Sequence, residues 1–314
     1  MDKPAATDTD DEPTRDRPTR RQPGDRGFDL ANTIFLVLIV IAIGYPLVFV
    51  AVASISDPKA VESGRVWLWP VDITLDGYRR VFAETAIWRG YLNTILYTVV
   101  GVAVHLFITL PCAYALSRKE FVGRRVVTWY VLFTMLFSGG LIPTYLVVKQ
   151  LGLLDTLWAV VLPGATGAWA ILVGRAFFKQ TVPDELTESA RMDGAGDLQI
   201  FLRIAIPLSA PVVAALGLFH GVGLWNEYFK ALIYLSDRDK YPLQLILREI
   251  LVVNQDASQG GGEAGSAESI ADQLRLASLI KYAVMIVASL PLLVIYPFLQ
   301  RFFVQGVLIG SVKE

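Results

Sequence analysis

Residues 92–116 read LNTILYTVVGVAVHLFITLPCAYAL, a stretch without a single Asp, Glu, Lys or Arg. A helix of roughly 20 apolar residues, rising about 1.5 Å per residue, crosses a hydrocarbon core about 30 Å thick, so this stretch is long enough to span a bilayer. Working outward, the segments 31–55, 126–148, 157–178, 211–235 and 279–299 meet the same requirement. The 314-residue chain is 54% hydrophobic and 18% charged, with a mean hydropathy of +0.49, and its charges cluster between the apolar runs. A soluble protein with all these helices in its core is the alternative, but it would keep too little polar surface to cover that core. The expected fold is therefore all-α: a polytopic membrane protein with six transmembrane helices. Pro46, Pro111, Pro143, Pro163 and Pro291 interrupt the runs, which a bundle tolerates where neighbouring helices or water satisfy the freed carbonyls. A net charge of -1 gives no electrostatic footprint for nucleic acid, and none is expected as a partner.

Lys and Arg near the span ends set the orientation, because short cytoplasmic loops carry their excess. Arg15, Arg17, Arg20, Arg21 and Arg26 precede the first span and place the N-terminus in the cytoplasm. Arg118, Lys119, Arg124 and Arg125 follow the second span and belong on the same side, as parity requires. Parity also brings the loop 179–207 inside, although its Lys179, Arg191 and Arg203 are outnumbered by Asp184, Glu185, Glu188, Asp193 and Asp197; acidic residues weigh little in this rule. Residues 1–27, rich in Asp, Arg, Thr and Pro and lacking an apolar run, read as a disordered cytoplasmic tail, and 28–314 as the membrane domain. On the outer side, Trp67, Trp69, Tyr78 and Phe82 are aromatics of the kind that rest at a lipid interface. The segment 236–278 reads as a long outer loop, mobile over its Gly-, Ser- and Ala-rich part 255–266. His105 and His220 are lone histidines on apolar helices and read as packing groups, since no ligand-spaced set accompanies them and no metal is expected.

The cytoplasmic loop has its own architecture. Thr181 with Asp184 three residues later resembles a capping box, Pro183 suits a first helical turn, and Gly194 can take the left-handed conformation that ends a helix. These signals predict a helix over 183–193. A second is expected after Asp197, with Leu198, Phe201, Leu202 and Ala205 on one face and Pro207 as its stop. An amphipathic connector resting on headgroups would be basic, because the inner leaflet is anionic. This loop is net acidic and small-featured, which suits insertion into a groove on a soluble protein.

Glu188-Ser189-Ala190, Gly194 six residues after the Glu, and Ile204-Ala205-Ile206-Pro207 resemble the EAA loop of permease subunits of ATP-binding cassette importers. That pattern is Glu-Ala-Ala, three residues, Gly, nine residues, Ile, any residue, Leu-Pro; Ser189 stands here for the first Ala and Ile206 for the Leu, both conservative. Other stretches are similar to the carbohydrate branch, its maltose-permease-like subunit and its complex-oligosaccharide relatives: Trp69-Pro70, Thr74-Leu75-Asp76-Gly77-Tyr78, Tyr91-Leu92-Asn93-Thr94, Ser138-Gly139-Gly140-Leu141-Ile142-Pro143-Thr144, Trp225-Asn226-Glu227-Tyr228-Phe229, Tyr241-Pro242-Leu243-Gln244 and the C-terminal Gln305-Gly306-Val307 to Gly310-Ser311-Val312-Lys313. The resemblance covers nearly everything after residue 27.

The resemblance implies a subunit of the bacterial plasma membrane with both termini cytoplasmic, forming half of a saccharide path beside a second, homologous permease. It implies a separate cytoplasmic ATPase dimer that alone uses ATP, and an extracytoplasmic solute-binding protein. This chain has no Gly-rich phosphate loop ending in Gly-Lys-Ser or Gly-Lys-Thr, so no cofactor of its own is expected. Glu188, Ser189, Ala190, Asp193, Gly194, Ile204 and Pro207 become the ATPase-coupling positions, and the C-terminal tail resembles one that reaches between ATPase subunits.

In the fifth span, Glu227 lies inside an apolar run, where a charge at mid-bilayer costs on the order of 2.5–3.5 kcal/mol unless it faces a path or a partner. Trp225 could stack on a sugar ring, Asn226 could hydrogen-bond hydroxyls and Tyr228 could do both; helix packing is the alternative for Trp225 and Asn226. A secondary transporter would show inverted repeats with paired broken helices, and a membrane enzyme a catalytic constellation. The sequence displays neither, and a non-catalytic membrane scaffold is the remaining alternative.

Overall fold

The computed structural model describes residues 23–258, 280–294 and 297, and among these every regular element is helical. The expectations for residues 1–22, for most of 255–266 and for the C-terminal tail lie outside the described residues. Two compact units are present, Met1–Phe49 and Val50–Glu314.

Helix α1, Pro23–Ala53, makes up the described part of the first unit and continues a turn into the second. It opens at Pro23, so residues 23–27 of the expected tail are helical; proline is accepted where a helix begins because no N–H is required there. Its stretch Gly27–Ala53 is long and apolar enough to cross a membrane.

In the second unit, short helices α2 (Pro58–Glu62) and α3 (Asp76–Ala83) precede α4, Thr85–Ser117, which passes the same membrane test. At about 50 Å it is the spine of the unit. Against it pack α8 (Ala168–Thr181) and α11 (Ala210–Trp225). Small residues bring the axes close: a Cβ on Gly174 would stand 2.9 Å from the Ala113 Cβ, and one on Gly101 would meet Leu224. The resulting core joins Leu110, Ala113, Phe178, Phe201, Ala205 and Leu216.

The remaining apolar runs are not single straight helices. The run 126–148 is α5 (Arg124–Leu136) and α6 (Leu141–Gln150), bent by 114°. Gly140, at φ 78°, makes that reversal, a backbone conformation closed to most other residues. The run 157–178 divides into α7 (Leu157–Val161) and α8 around Pro163 and Gly164, the latter at φ 86°. The run 211–235 divides at Asn226 into α11 and α12, Phe229–Tyr234. Side chains repair these breaks, as a low-dielectric setting demands. His105 lies 2.8 Å from the Ala165 carbonyl and stacks on His220 at 4.1 Å, Thr109 bonds Thr166 at 2.7 Å, and Glu227 accepts the Lys230 N–H at 3.0 Å.

At the end of the bundle away from Ser117, the expected loop 236–278 is in part a helix, α13, Leu243–Ser258. Its apolar residues Leu243, Ile246 and Leu247 pack against Ile87 and Val284, which secures a helix that loop composition alone disguised. The intervening 236–242 is latched to α4, with Tyr97 donating to the Lys240 carbonyl at 2.7 Å and Asn93 to those of Asp239 and Tyr241. Asp155 accepts from Lys240 at 2.8 Å and from the N–H groups of Ser236 and Asp237, which together push its carboxyl down to about 2. The last helix among the described residues, α14, covers Ile280–Val294.

Candidate functional site

At the Ser117 end of α4 the chain builds a polar knob. Helix α9 spans Asp184–Met192, close to the predicted 183–193. Gly194 adopts φ 83° and closes it with paired backbone bonds, Gly194 N–H to the Arg191 carbonyl and Ala195 N–H to that of Ala190, both at 2.9 Å. This is a Schellman ending, and Gly is the residue that adopts it without strain. The expected capping box does not form: Thr181 ends α8 and Pro183 takes the cap position. Asp184 is drawn away to Lys119 at 2.7 Å, a contact that holds its carboxyl below the usual range.

After Gly194 the chain turns into α10, Asp197–Leu208, whose middle, Phe201–Ala205, is a π-turn. The wider turn shifts the register, so Ile200, Phe201 and Ala205 point inward while Leu198 and Leu202 stay 69% and 52% exposed. The single face expected for Leu198, Phe201, Leu202 and Ala205 is thereby split. Pro207 does not stop the helix, which runs to Leu208 before bending 80° into α11; the proline enters near the start of a fresh α-turn, where its missing N–H costs little.

Glu188, Ser189, Asp193 and Gly194 lie on the exposed side of the knob, whereas Ala190 faces the core. Asp193, Gly194 and Ile204 share a cavity of about 430 Å³ with Arg203 and Gln199, and Pro207 is outside it. Met192, unremarked in the sequence, stands 88% exposed at the tip. Met192 stands between Arg191 and Asp193 in sequence, one exposed apolar side chain on a mostly polar helix that is braced from behind.

The brace is Arg118, also missed from sequence because it read only as a topology marker. It is 8% exposed and donates to Ser117 Oγ at 3.0 Å, to the Val182 carbonyl at 2.9 Å and to that of Phe178 at 3.3 Å. The guanidinium thus satisfies the C-terminal carbonyls of α8 and fixes where α9 begins. Arg191 pairs with Asp197 at 3.0 Å across the glycine turn.

The fifth-span residues separate in role. Trp225 is buried, donating to the Ala288 carbonyl at 3.3 Å with its ring against Tyr91. Asn226 is exposed and bonds back to the Val222 carbonyl at 2.9 Å. Glu227 finds its counter-charge within the chain, Lys230 Nζ at 3.2 Å. Tyr228 is half-exposed beneath the Arg248 guanidinium.

Comparison with known proteins gives this geometry a context. Residues 85–309 match the model of the family described as "Binding-protein-dependent transport system inner membrane component". The chain is similar to the polygalacturonan/rhamnogalacturonan transport system permease protein YtcP of Bacillus subtilis (strain 168), 42% identical over 92% of this chain and 99% of that protein. Protein LplC of the same organism is 41% identical over 92% of this chain and 95% of that protein. Among solved structures, a bacterial ABC transporter involved in the import of the acidic polysaccharide alginate aligns with a TM-score of 0.80 and 34% identity, over 91% of this chain and all of that one. The chain therefore belongs to the family of binding-protein-dependent transport system inner membrane components, transport permeases rather than enzymes.

Proposed function

We propose that this chain is one of two homologous permease subunits of an ATP-binding cassette importer for oligosaccharides, with uronate-containing chains as its first candidate cargo. The observation that carries the coupling role is the exposed α9 knob, held from behind by Arg118 and ended by the Gly194 turn. In this reading the α9 end faces the cytoplasm, both termini are cytoplasmic, and the chain makes six crossings, three of them broken. Glu188, Ser189, Asp193 and Gly194 contact a separate ATPase dimer, while Ala190, Ile204 and Pro207 hold the knob in shape. Nucleotide binds only to that ATPase, and an outer solute-binding protein delivers the cargo. Closure of the ATPase dimer would swing α9 and α10 as one body, the 80° bend at Ser209 passing the motion to α11.

Along the path, Asn226, Glu227 and Tyr228 are the saccharide-facing groups, and buried Trp225 positions them. The uronate preference is supported by the names of two similar proteins, one a polygalacturonan/rhamnogalacturonan permease and the other an alginate importer. The test is uptake by the complete importer in proteoliposomes, using labelled trigalacturonate and a neutral trisaccharide. Uptake of the acidic sugar that requires internal ATP and the binding protein is expected. Uptake driven by an ion gradient without ATP would replace this reading with a secondary transporter, and preference for the neutral sugar would remove the uronate assignment.

A further inference from the structure

Arg175 lies inside the apolar helix α8, six residues before its end at Thr181 and so about 9 Å of helix from that end. It is half-buried, and among the described residues its guanidinium reaches the Thr128 hydroxyl on α5, at 3.4 Å. Thr128 in turn donates to the Arg124 carbonyl at 2.7 Å. At about 100° per residue, position 128 projects between positions 124 and 125, so Arg124 and Arg125 stand on the first turn of α5 beside the place where Arg175 crosses from α8; the Arg124 guanidinium also donates to the Arg118 carbonyl at 3.3 Å. No carboxylate pairs with any of the three among the described residues, and Asp184, at the same end of the bundle, is taken by Lys119 at 2.7 Å.

Arg175, set within an apolar helix with Arg124 and Arg125 across from it on the first turn of α5, favours an anion at this seam, and the surface beside it says which kind. Continuing along α5 from Arg125, the side chains of Val126, Trp129, Tyr130 and Phe133 are all exposed. Indole and phenol rings one turn in from basic residues, followed by purely apolar ones, reproduce the order of a lipid monolayer from phosphate to acyl chain. A soluble anion would leave the apolar strip without an occupant.

We propose that the α5–α8 seam binds the phosphate headgroup of an anionic phospholipid of the inner leaflet, with Arg175, Arg124 and Arg125 as its cations. Only the leaflet rests on the orientation given under Proposed function; the cation cluster and its apolar strip do not. The lipid would hold the bent α5–α6 pair against α8.

The test titrates the full-length chain in neutral detergent with phosphatidylglycerol and, separately, phosphatidylcholine, following bound lipid by native mass spectrometry. Phosphatidylglycerol should bind more tightly than phosphatidylcholine. Arg175→Gln and Arg125→Gln should each weaken phosphatidylglycerol about fivefold, the worth of one cation near a lipid surface, and leave phosphatidylcholine unchanged. Arg175→Lys should stay within about twofold of the parent. Arg125 is exposed on the first turn of α5, so its variant keeps the test open even if Arg175→Gln fails to fold. Equal binding of the two lipids, or unchanged phosphatidylglycerol affinity in both Gln variants, overturns the proposal. Displacement by inorganic phosphate would mark a soluble-anion site, and loss of the lipid preference in the assembled importer would mark a seam filled by partner carboxylates; either also overturns it. An importer that fails to take up sugar would undo the transport reading without altering this titration.

Discussion

Replacing Arg118 by Met should release the α9 knob from the membrane bundle. Met keeps much of the apolar length but none of the donors, so the Val182 carbonyl loses its Arg118 bond and the Phe178 carbonyl, which also accepts the Val182 N–H at 3.0 Å, loses its second one. Net contributions of hydrogen bonds to charged groups are about 1.5–3 kcal/mol each, so even the low end, for these two bonds alone, sums to about 3 kcal/mol. That corresponds to a roughly hundredfold rise in the open population of the loop. Hydrogen exchange of the full-length chain in nanodiscs reads this directly. The amides of Asp184–Met192 should lose about two orders of magnitude of protection, while those in the middle of α4 stay protected. Arg118→Lys, which keeps the charge but loses the Nε donor to Ser117, should fall between. Protection of α9 within about threefold of the parent in Arg118→Met would refute the idea that this residue positions the knob.

Other consequences are as direct. Gly174→Val places branched carbons where a Cβ already stands 2.9 Å from Ala113, so it should destabilise the α4–α8 contact by roughly 1–3 kcal/mol and lower the melting temperature in detergent. The Asp155 carboxyl is held at about 2 against its ordinary 3.8, so its latch is fully present above pH 3.8 and is lost only as pH falls through 2; acidification to pH 5 should leave proteolysis of the 236–242 segment unchanged, whereas Asp155→Ala should accelerate it at both neutral pH and pH 5. Tyr228→Ala should raise the KM for sugar with little change in melting temperature, whereas Trp225→Ala should lower the melting temperature and raise the KM with it, because one ring is exposed and the other is buried against Ala288, where it positions the groups beside it.

The helix α9 and its glycine ending were legible in the sequence because both depend on local rules, a proline before and a left-handed residue after. The broken spans were less so. Pro46 and Pro111 sit within continuous helices, while the reversals fall at Gly140 and Gly164, where positive φ redirects the chain. A proline forfeits one hydrogen bond and bends a helix, but only a left-handed residue turns it back, and which glycine does so is decided by tertiary packing. The π-turn at Phe201–Ala205 is likewise invisible to a 3.6-residue periodicity, which is why the predicted apolar face of α10 was divided. Arg118 was read for its charge alone, although its main work is hydrogen bonding to carbonyls more than fifty residues away in sequence.

The central claim, that the α9 knob is where the ATPase engages, is tested most directly by co-purification of the ATPase with Glu188→Arg and Gly194→Val chains expressed in the complete importer. Space is available at both positions, since Glu188 is exposed and nothing approaches a Cβ on Gly194 within 4 Å, so membrane insertion should be normal. The charge reversal should repel the groove, and the β-branched residue should strain the turn at φ 83° by about 1–3 kcal/mol. The account predicts that both variants reach the membrane at parental levels yet retain less than about a tenth of the ATPase. Parental recovery of the ATPase with both variants would contradict it.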